Sequence, residues 1–487
     1  MVTTATARHF RGVLRPVAAL VAGLVLAGGA AWAAPGGLDS AFGRAADGTP
    51  DGIVNLSLGA GNDAANAAAL QKDGKLVIAG YSTSTGGTTS NIVVLRLNKD
   101  GSLDTSFGVG QQDGSPDGVV SLDLGDSADA AAAVLLQPDG KIVVAGSRTS
   151  KTSDIVLARL LPNGQLDRSF GRDDADGTPD GVMSMSLSDG DDVATALALQ
   201  ADGKIVLVGT TVAPDKSTNI AVARLKPNGT LDAAFGRGDA DGTPDGVVSV
   251  SLSTGNDAAN AVALQADGKI VVAGTATAAD KSTNIAVARL KSNGTLDASF
   301  GPGDADGTPD GVVAVSLSDG NDIAKAVAVY KNFVYVAGDY VAADGSSNVA
   351  VARLKANGAL DASFGQDASD NTPEGVSGIS FGQGNDHVTG LAVQADGQLL
   401  VVAGTTAASD KSRNIAVARL KANGSLDTRF GTGQDDSTPD GVVGLSLGAG
   451  DDMAKAVVLQ PDGKIVVVGD RVNGTSTDIV VVRLLGK

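Results

Sequence analysis

The motif Leu-Asp-x-x-Phe-Gly occurs seven times, starting at Leu38, Leu103, Leu166, Leu231, Leu296, Leu360 and Leu426, with successive copies 63 to 66 residues apart. A chain with this period is built from one supersecondary unit used repeatedly. A single unit cannot bury its own apolar face, so neighbouring units must pack on one another. Two further markers keep the same period. An Arg-Leu pair closes an apolar run at Arg96, Arg159, Arg224, Arg289, Arg353, Arg419 and Arg483. A glycine follows a β-branched run at Gly80, Gly146, Gly209, Gly274, Gly338, Gly404 and Gly469.

Within repeat four, 247–252 alternates and reads as a strand. Residues 261–265, 269–274 and 284–291 read as three more, and Ala266-Asp267-Gly268 and Asn293-Gly294 are tight-turn signals. Four strands per repeat is the content of one propeller blade. The expected fold is all-β: a seven-bladed β-propeller of four-stranded antiparallel blades, with the ring closed between the N- and C-terminal strands. Closure predicts that 53–58 pairs with 478–485, because each segment otherwise leaves an open edge. A linear solenoid would need distinct capping repeats, and none is visible. The acid supply agrees with a turn-rich chain. Of 55 acids Glu374 is the only Glu, so 55 − 1 = 54 are Asp, a turn former rather than a helix former.

Residues 1–33 read as a signal peptide, and 34–487 as one propeller domain. Arg8, Arg11 and Arg15 precede an apolar stretch from Val17 to Ala27, and Ala31-Trp32-Ala33 offers a cleavage site. Removal of three Arg takes the net charge from −18 to −18 − 3 = −21. Such a charge disfavours nucleic acid or an anionic membrane as partner. There is no Cys, which excludes disulfides and thiolate metal sites. The mature chain is expected to be monomeric, without a membrane span, and periplasmic or extracellular.

Runs such as AVALQADGKIVVAG, then NIAVARLKSNG, then TLDASFG resemble the delta-60 repeat family over essentially the whole mature chain. The resemblance implies an exported bacterial protein with a propeller-like fold, and carries no general activity. The strand order is also similar to that of NHL-type propellers.

The candidate binding chemistry is an acidic loop after Phe-Gly. Three repeats read Asp-Ala-Asp-Gly-Thr-Pro-Asp, giving Asp174, Asp176 and Asp180, Asp239, Asp241 and Asp245, and Asp304, Asp306 and Asp310. Calcium prefers several oxygen ligands on a loop with a Gly at its sharp turn. The spacing is similar to the later part of the loops in calcium-binding propellers of the FG-GAP type, but the first ligand position holds Arg172, Arg237 or Pro302. A metal-free Gly/Pro/Asp turn is the plainer reading. Arg289 and its copies, on an apolar strand, are expected to pair with Asp297 and its copies. Asp257 and its copies precede the second strand and are expected to cap turns. In repeat five Tyr330, Phe333, Tyr335 and Tyr340 break the pattern, as an interaction surface or to refill the core.

Catalytic material is scarce. The mature chain has one His, His387, and one Glu. A metal hydrolase or a catalytic triad is therefore disfavoured, and no enzyme is expected. The expectation is a binding or scaffold module with a protein or polysaccharide ligand. A hydrolase or lyase working at the mouth of the propeller channel is the alternative.

Overall fold

The computed structural model describes residues 34–43, 51–83, 89–108, 118–124, 128–149, 151–171, 181–236, 246–253, 255–278, 281–301, 311–318, 320–342, 345–365, 375–379, 381, 384–406, 412–431 and 441–486. Among them every regular element is a strand. Strand β1 (Ile53–Leu56) comes first. Blade one follows as β2 (Asp63–Leu70), β3 (Leu76–Thr83), β4 (Ser90–Leu97) and β5 (Val119–Leu122). Blade two is β6 (Ala128–Leu136), β7 (Ile142–Thr149), β8 (Ser153–Leu160) and β9 (Val182–Met185). Blade three is β10 (Val193–Leu199), β11 (Ile205–Val212), β12 (Thr218–Leu225) and β13 (Val247–Val250). Blade four is β14 (Asp257–Leu264), β15 (Ile270–Thr277), β16 (Thr283–Leu290) and β17 (Val312–Val315). Blade five is β18 (Ile323–Tyr330), β19 (Phe333–Val341), β20 (Ser347–Leu354) and β21 (Val376–Ile379). Blade six is β22 (His387–Val393), β23 (Leu399–Thr406), β24 (Arg413–Leu420) and β25 (Val442–Leu445). Blade seven is β26 (Asp452–Leu459), β27 (Ile465–Asn473) and β28 (Ser476–Leu484), and β1 is its fourth strand.

Each repeat's first strand therefore joins the sheet of the repeat before it. In blade four the order is β14-β15-β16-β17, antiparallel throughout. The β14–β15 hairpin turns through 266–268, with Gly268 at φ 83° and bonds from Gln265 N to Lys269 O and from Gly268 N to Gln265 O, each 2.9 Å. The first strand of this sheet starts at Asp257, four residues before the 261–265 strand expected from the sequence. The cause is a bulge: the register shifts between Ala259 and Ala261, which breaks the period of two. In blade four the bulge also explains the glycine of the third marker. A Cβ on Gly274 would lie 1.8 Å from the Ala258 carbonyl oxygen, so only glycine fits there.

The described residues divide into two compact units: those within Ala132–Ala342 and Val351–Ala362, and those within Leu14–Ala131, Ala343–Ala350 and Ser363–Lys487. In the first, Val206, Val208, Ile220, Val222 and Phe235 of blade three pack with Ile270, Val272 and Ala288 of blade four. In the second, Phe42, Val54, Val466, Val468 and Ile479 pack with Ala65, Ile78 and Leu95 of blade one. Small aliphatic side chains suit sheets covered on both faces.

The expected terminal pairing is present inside the second unit. Strand β1 lies antiparallel to β28, with Ile53 opposite Val482 and Leu56 opposite Ile479. The adjoining turn is itself split between the two ends of the chain. In repeat four that turn has Gly294 N bonded to Lys291 O and Lys291 N to Thr295 O. At the seam, Gly36 N bonds to Leu485 O and Leu485 N to Gly37 O. Gly36 has φ 90°, as Gly294 has φ 95°.

Candidate functional site

The nine loop aspartates, Asp174, Asp176, Asp180, Asp239, Asp241, Asp245, Asp304, Asp306 and Asp310, lie outside the described residues. Asp51, the last acid of the corresponding loop in repeat one, is described and accepts a hydrogen bond from Ile53 N at 2.9 Å. Among the described residues no group of three or more His, Asp or Glu is placed to hold a metal ion.

The Arg and Asp sets meet as expected. Arg289 is near the end of β16, and Asp297 follows one tight turn later. Arg289 Nε lies 2.9 Å from Asp297 Oδ2, with the two side chains 3% and 5% exposed. Lys269 Nζ reaches the same oxygen at 3.3 Å. Asp297 Oδ1 accepts from the backbone NH and hydroxyl of Ser299. The guanidinium lies 4.4 Å over the Phe300 ring and donates through Nη1 to the carbonyl of Ala356 in the next repeat. The junction recurs at the seam, where Arg483 pairs with Asp39 at 2.7 Å, stacks over Phe42 and donates to the Lys99 carbonyl. In blade six Gln398 and Arg429 hold Asp427, at 2.7 and 3.0 Å, where blade four uses Lys269 and Ser299. These charges join strand, turn and neighbouring repeat; they are structural.

The second Asp set is fully buried. Asp257 Oδ2 accepts from Leu252 N at 2.6 Å and Ser253 N at 3.0 Å, and Oδ1 from Ser253 Oγ at 2.6 Å. Asp192 and Asp322 do the same with Ser188 and Ser318. Asp63 and Asp452 have Gly59 and Gly448 at that serine's position, and their Oδ1 atoms have no partner. Burial pushes Asp452 up to about 6, against the opposing Leu447 N bond and Arg471 charge.

In blade five Lys331 and Asn332 make a tight turn, with Lys331 at φ 54°. Phe333 stands where blade four has Lys269, and Arg353 lies 4.7 Å over its ring. Tyr335 and Tyr340 are buried at 2% and 4% exposure, whereas Tyr330 and Phe333 are half-buried. The four rings thus divide between refilling the core and a partly open hairpin tip. His387 begins β22 and is half-buried.

Two titratable groups with raised values, Asp470 and Tyr81, lie in blades seven and one. Lys455 Nζ, at the β26 bulge, is 3.7 Å from Asp470 Oδ1 on β27. Burial raises Asp470 despite Lys455. Burial and the Asp470 charge raise Tyr81 on β3.

A profile described as a domain of unknown function (DUF5122) β-propeller matches seven times, at residues 71–107, 137–170, 200–235, 265–300, 334–364, 394–430 and 460–486. The chain is a β-propeller repeat protein. No curated protein matches the sequence. Solved structures similar to the propeller include the extracellular domain of a putative one-component system from B. thetaiotaomicron, at 10% identity and TM-score 0.40. That match covers 88% of this chain and 39% of the other, so the chain spans well under half the length of that relative. A glucose dehydrogenase aligns at 13% identity and TM-score 0.39, covering 88% and 99%. The GH93 α-L-arabinofuranosidase of Fusarium graminearum, in complex with arabinobiose, aligns at 10% identity and TM-score 0.38, covering 72% and 92%.

Two features of the propeller repeats escaped the sequence reading. One is the Lys455, Asp470 and Tyr81 cluster. The other is a latch between neighbouring blades, formed by the Asn or Asp that precedes a buried Asp in every repeat but the second, where Ala128 stands. Asn256 Oδ1 accepts from Thr218 N at 3.1 Å, and Asn321 from Thr283 N at 3.0 Å. Asn62 accepts likewise from Thr477 N across the seam. The signal was an Asn or Asp recurring at that position, easily taken for ordinary turn chemistry.

Proposed function

We propose that this propeller is an exported binding or scaffold module of the cell envelope or exterior, with delta-60-type repeats and loops that hold calcium. The observation that carries this reading is where the repeated charges are engaged. The Arg–Asp pairs are buried in the blades, so the most repeated chemistry is internal. What remains for a partner is a set of near-identical surface turns. Repeated sites allow weak contacts to sum when the ligand is itself repetitive, as a polysaccharide or a clustered protein is. Capture of partners from the native envelope by the mature protein, with the heat-unfolded protein as control, tests the reading. Recovery of the same material by both would overturn it. For calcium, a ligand that binds only the folded state raises the melting temperature with concentration. Millimolar calcium is expected to stabilise the chelator-stripped protein more than equal magnesium, and Asp→Asn changes at Asp241, Asp245, Asp176, Asp180, Asp306 and Asp310 remove the difference. No calorimetric heat and no melting shift would leave these loops as plain turns.

A hydrolase or lyase is the second reading, and Asp470 and Tyr81 favour it, because both are raised and the Asp470 charge acts on Tyr81, an arrangement that suits proton transfer. Cleavage of a glycan or peptide library that disappears in Asp470→Asn without loss of fold would support it.

A further inference from the structure

We infer that Asp452 and Arg471 form a pH-dependent catch that controls how firmly the terminal strand β1 is held in blade seven. Asp452 and Arg471 are cross-strand partners on β26 and β27. Each has an unsatisfied atom: Asp452 Oδ1 is a buried acceptor without a partner, and Arg471 Nε a buried donor without one. The Arg471 guanidinium instead extends to β1, where Nη1 donates to Asn55 Oδ1 at 3.3 Å. Gly448 makes room for this arrangement, since a Cβ there would lie 3.1 Å from Arg471 Nη2. Blades three, four and five have Ser188, Ser253 and Ser318 at this position, each donating to the aspartate. Blade seven, the one that holds the chain's first strand, lacks that donor and has a guanidinium beside the carboxyl instead.

The other charged groups nearby are Asp451, which precedes Asp452 and accepts from Arg413 N, the Arg413 guanidinium on β24, 3.6 Å from Met453 Sδ, and Asp478 on β28, the cross-strand partner of Arg471. A neutral Asp452 carboxyl leaves Arg471 on Asn55. An ionised one attracts the guanidinium toward its unpartnered oxygen and away from β1. Burial places this change at about pH 6. A carboxyl raised in the folded state adds stability below its unfolded value of 3.8, and that stability is lost as pH rises through about 6. The seam is therefore tighter in mild acid.

Hydrogen exchange at Ile53–Leu56, corrected for intrinsic rates, tests this from pH 5 to 7.5. The wild type is expected to lose protection several-fold in a step near pH 6. Asp452→Asn should show no step, with protection high throughout. Asn55→Ala, at an exposed position, should also show no step, with protection low throughout. A wild type without the step, or a step that survives in Asn55→Ala, overturns the inference.

Discussion

Burial alone would raise the Asp297 carboxyl, yet hydrogen bonds from Ser299, the Lys269 ammonium and the Arg289 guanidinium hold it at about 2. Asp167 and Asp427 sit at about 2 for the same kind of reason. A carboxyl lowered from 3.8 stabilises the fold above its unfolded value, and that contribution is lost as pH falls through about 2. Acid unfolding followed by circular dichroism should therefore steepen between pH 4 and 2. Asp297→Asn should remove one share of that slope. It should also cost about 3–5 kcal/mol at neutral pH, because it strands the Arg289 charge in the interior. A neutral-pH loss within about 0.5 kcal/mol would show that Arg289 finds another partner. This pairing was legible in the sequence: a cation on an apolar strand needs a partner, and each repeat offers one carboxylate a single turn away. The Lys455, Asp470 and Tyr81 cluster was not. Its members meet only through hairpin register and through the packing of the last blade on the first.

At the scale of the strand and its turn, the aspartate cap divides the blades into complete and incomplete copies. Gly59 is the simplest to complete, since a Cβ there meets nothing within 4 Å. Gly59→Ser should give Asp63 Oδ1 the donor that Ser253 gives Asp257, raising stability by about 0.5–1.5 kcal/mol. Ser253→Gly should lower it by a similar amount, and thermal melts of both variants check the pair. The strands themselves were legible where a continuous apolar run is bounded by turn signals, as in β15 and β16. The start of β14 was hidden because the bulge at Asn260 puts two residues opposite one. Blade five was legible as a departure but not in its outcome. Composition marks four rings, and only packing shows which of them the core takes.

At the scale of the whole molecule, the repeat count, the four-stranded blades and the pairing of first strand with last were all legible from periodicity. That the last turn is divided between the two ends of the chain was not, since neither half carries the complete turn sequence. Deleting residues 34–60 removes β1, Asp39 and Phe42 together, so it should abolish cooperative unfolding in calorimetry. Gly36→Ala is a milder test. Its Cβ would lie 2.5 Å from Gly431 N at a φ of 90°, so it should cost more than about 1 kcal/mol. A melt unchanged in both variants would mean that blade seven holds without the seam. The nine loop aspartates await the calcium titration, because their chemistry depends on how each loop closes and residue spacing alone does not specify that.

The pairing of β1 with β28 has a consequence for synthesis. A ribosome adds roughly 5–20 residues per second, so β1 waits on the order of tens of seconds for β28. Until then β1 has no place to pair, and β27 shows an open edge. A message cut short before residue 476 therefore yields a chain with one unpaired strand and one open sheet edge, of the kind that aggregates or recruits proteases. The codons for β28 thus act as a check that the propeller itself is complete.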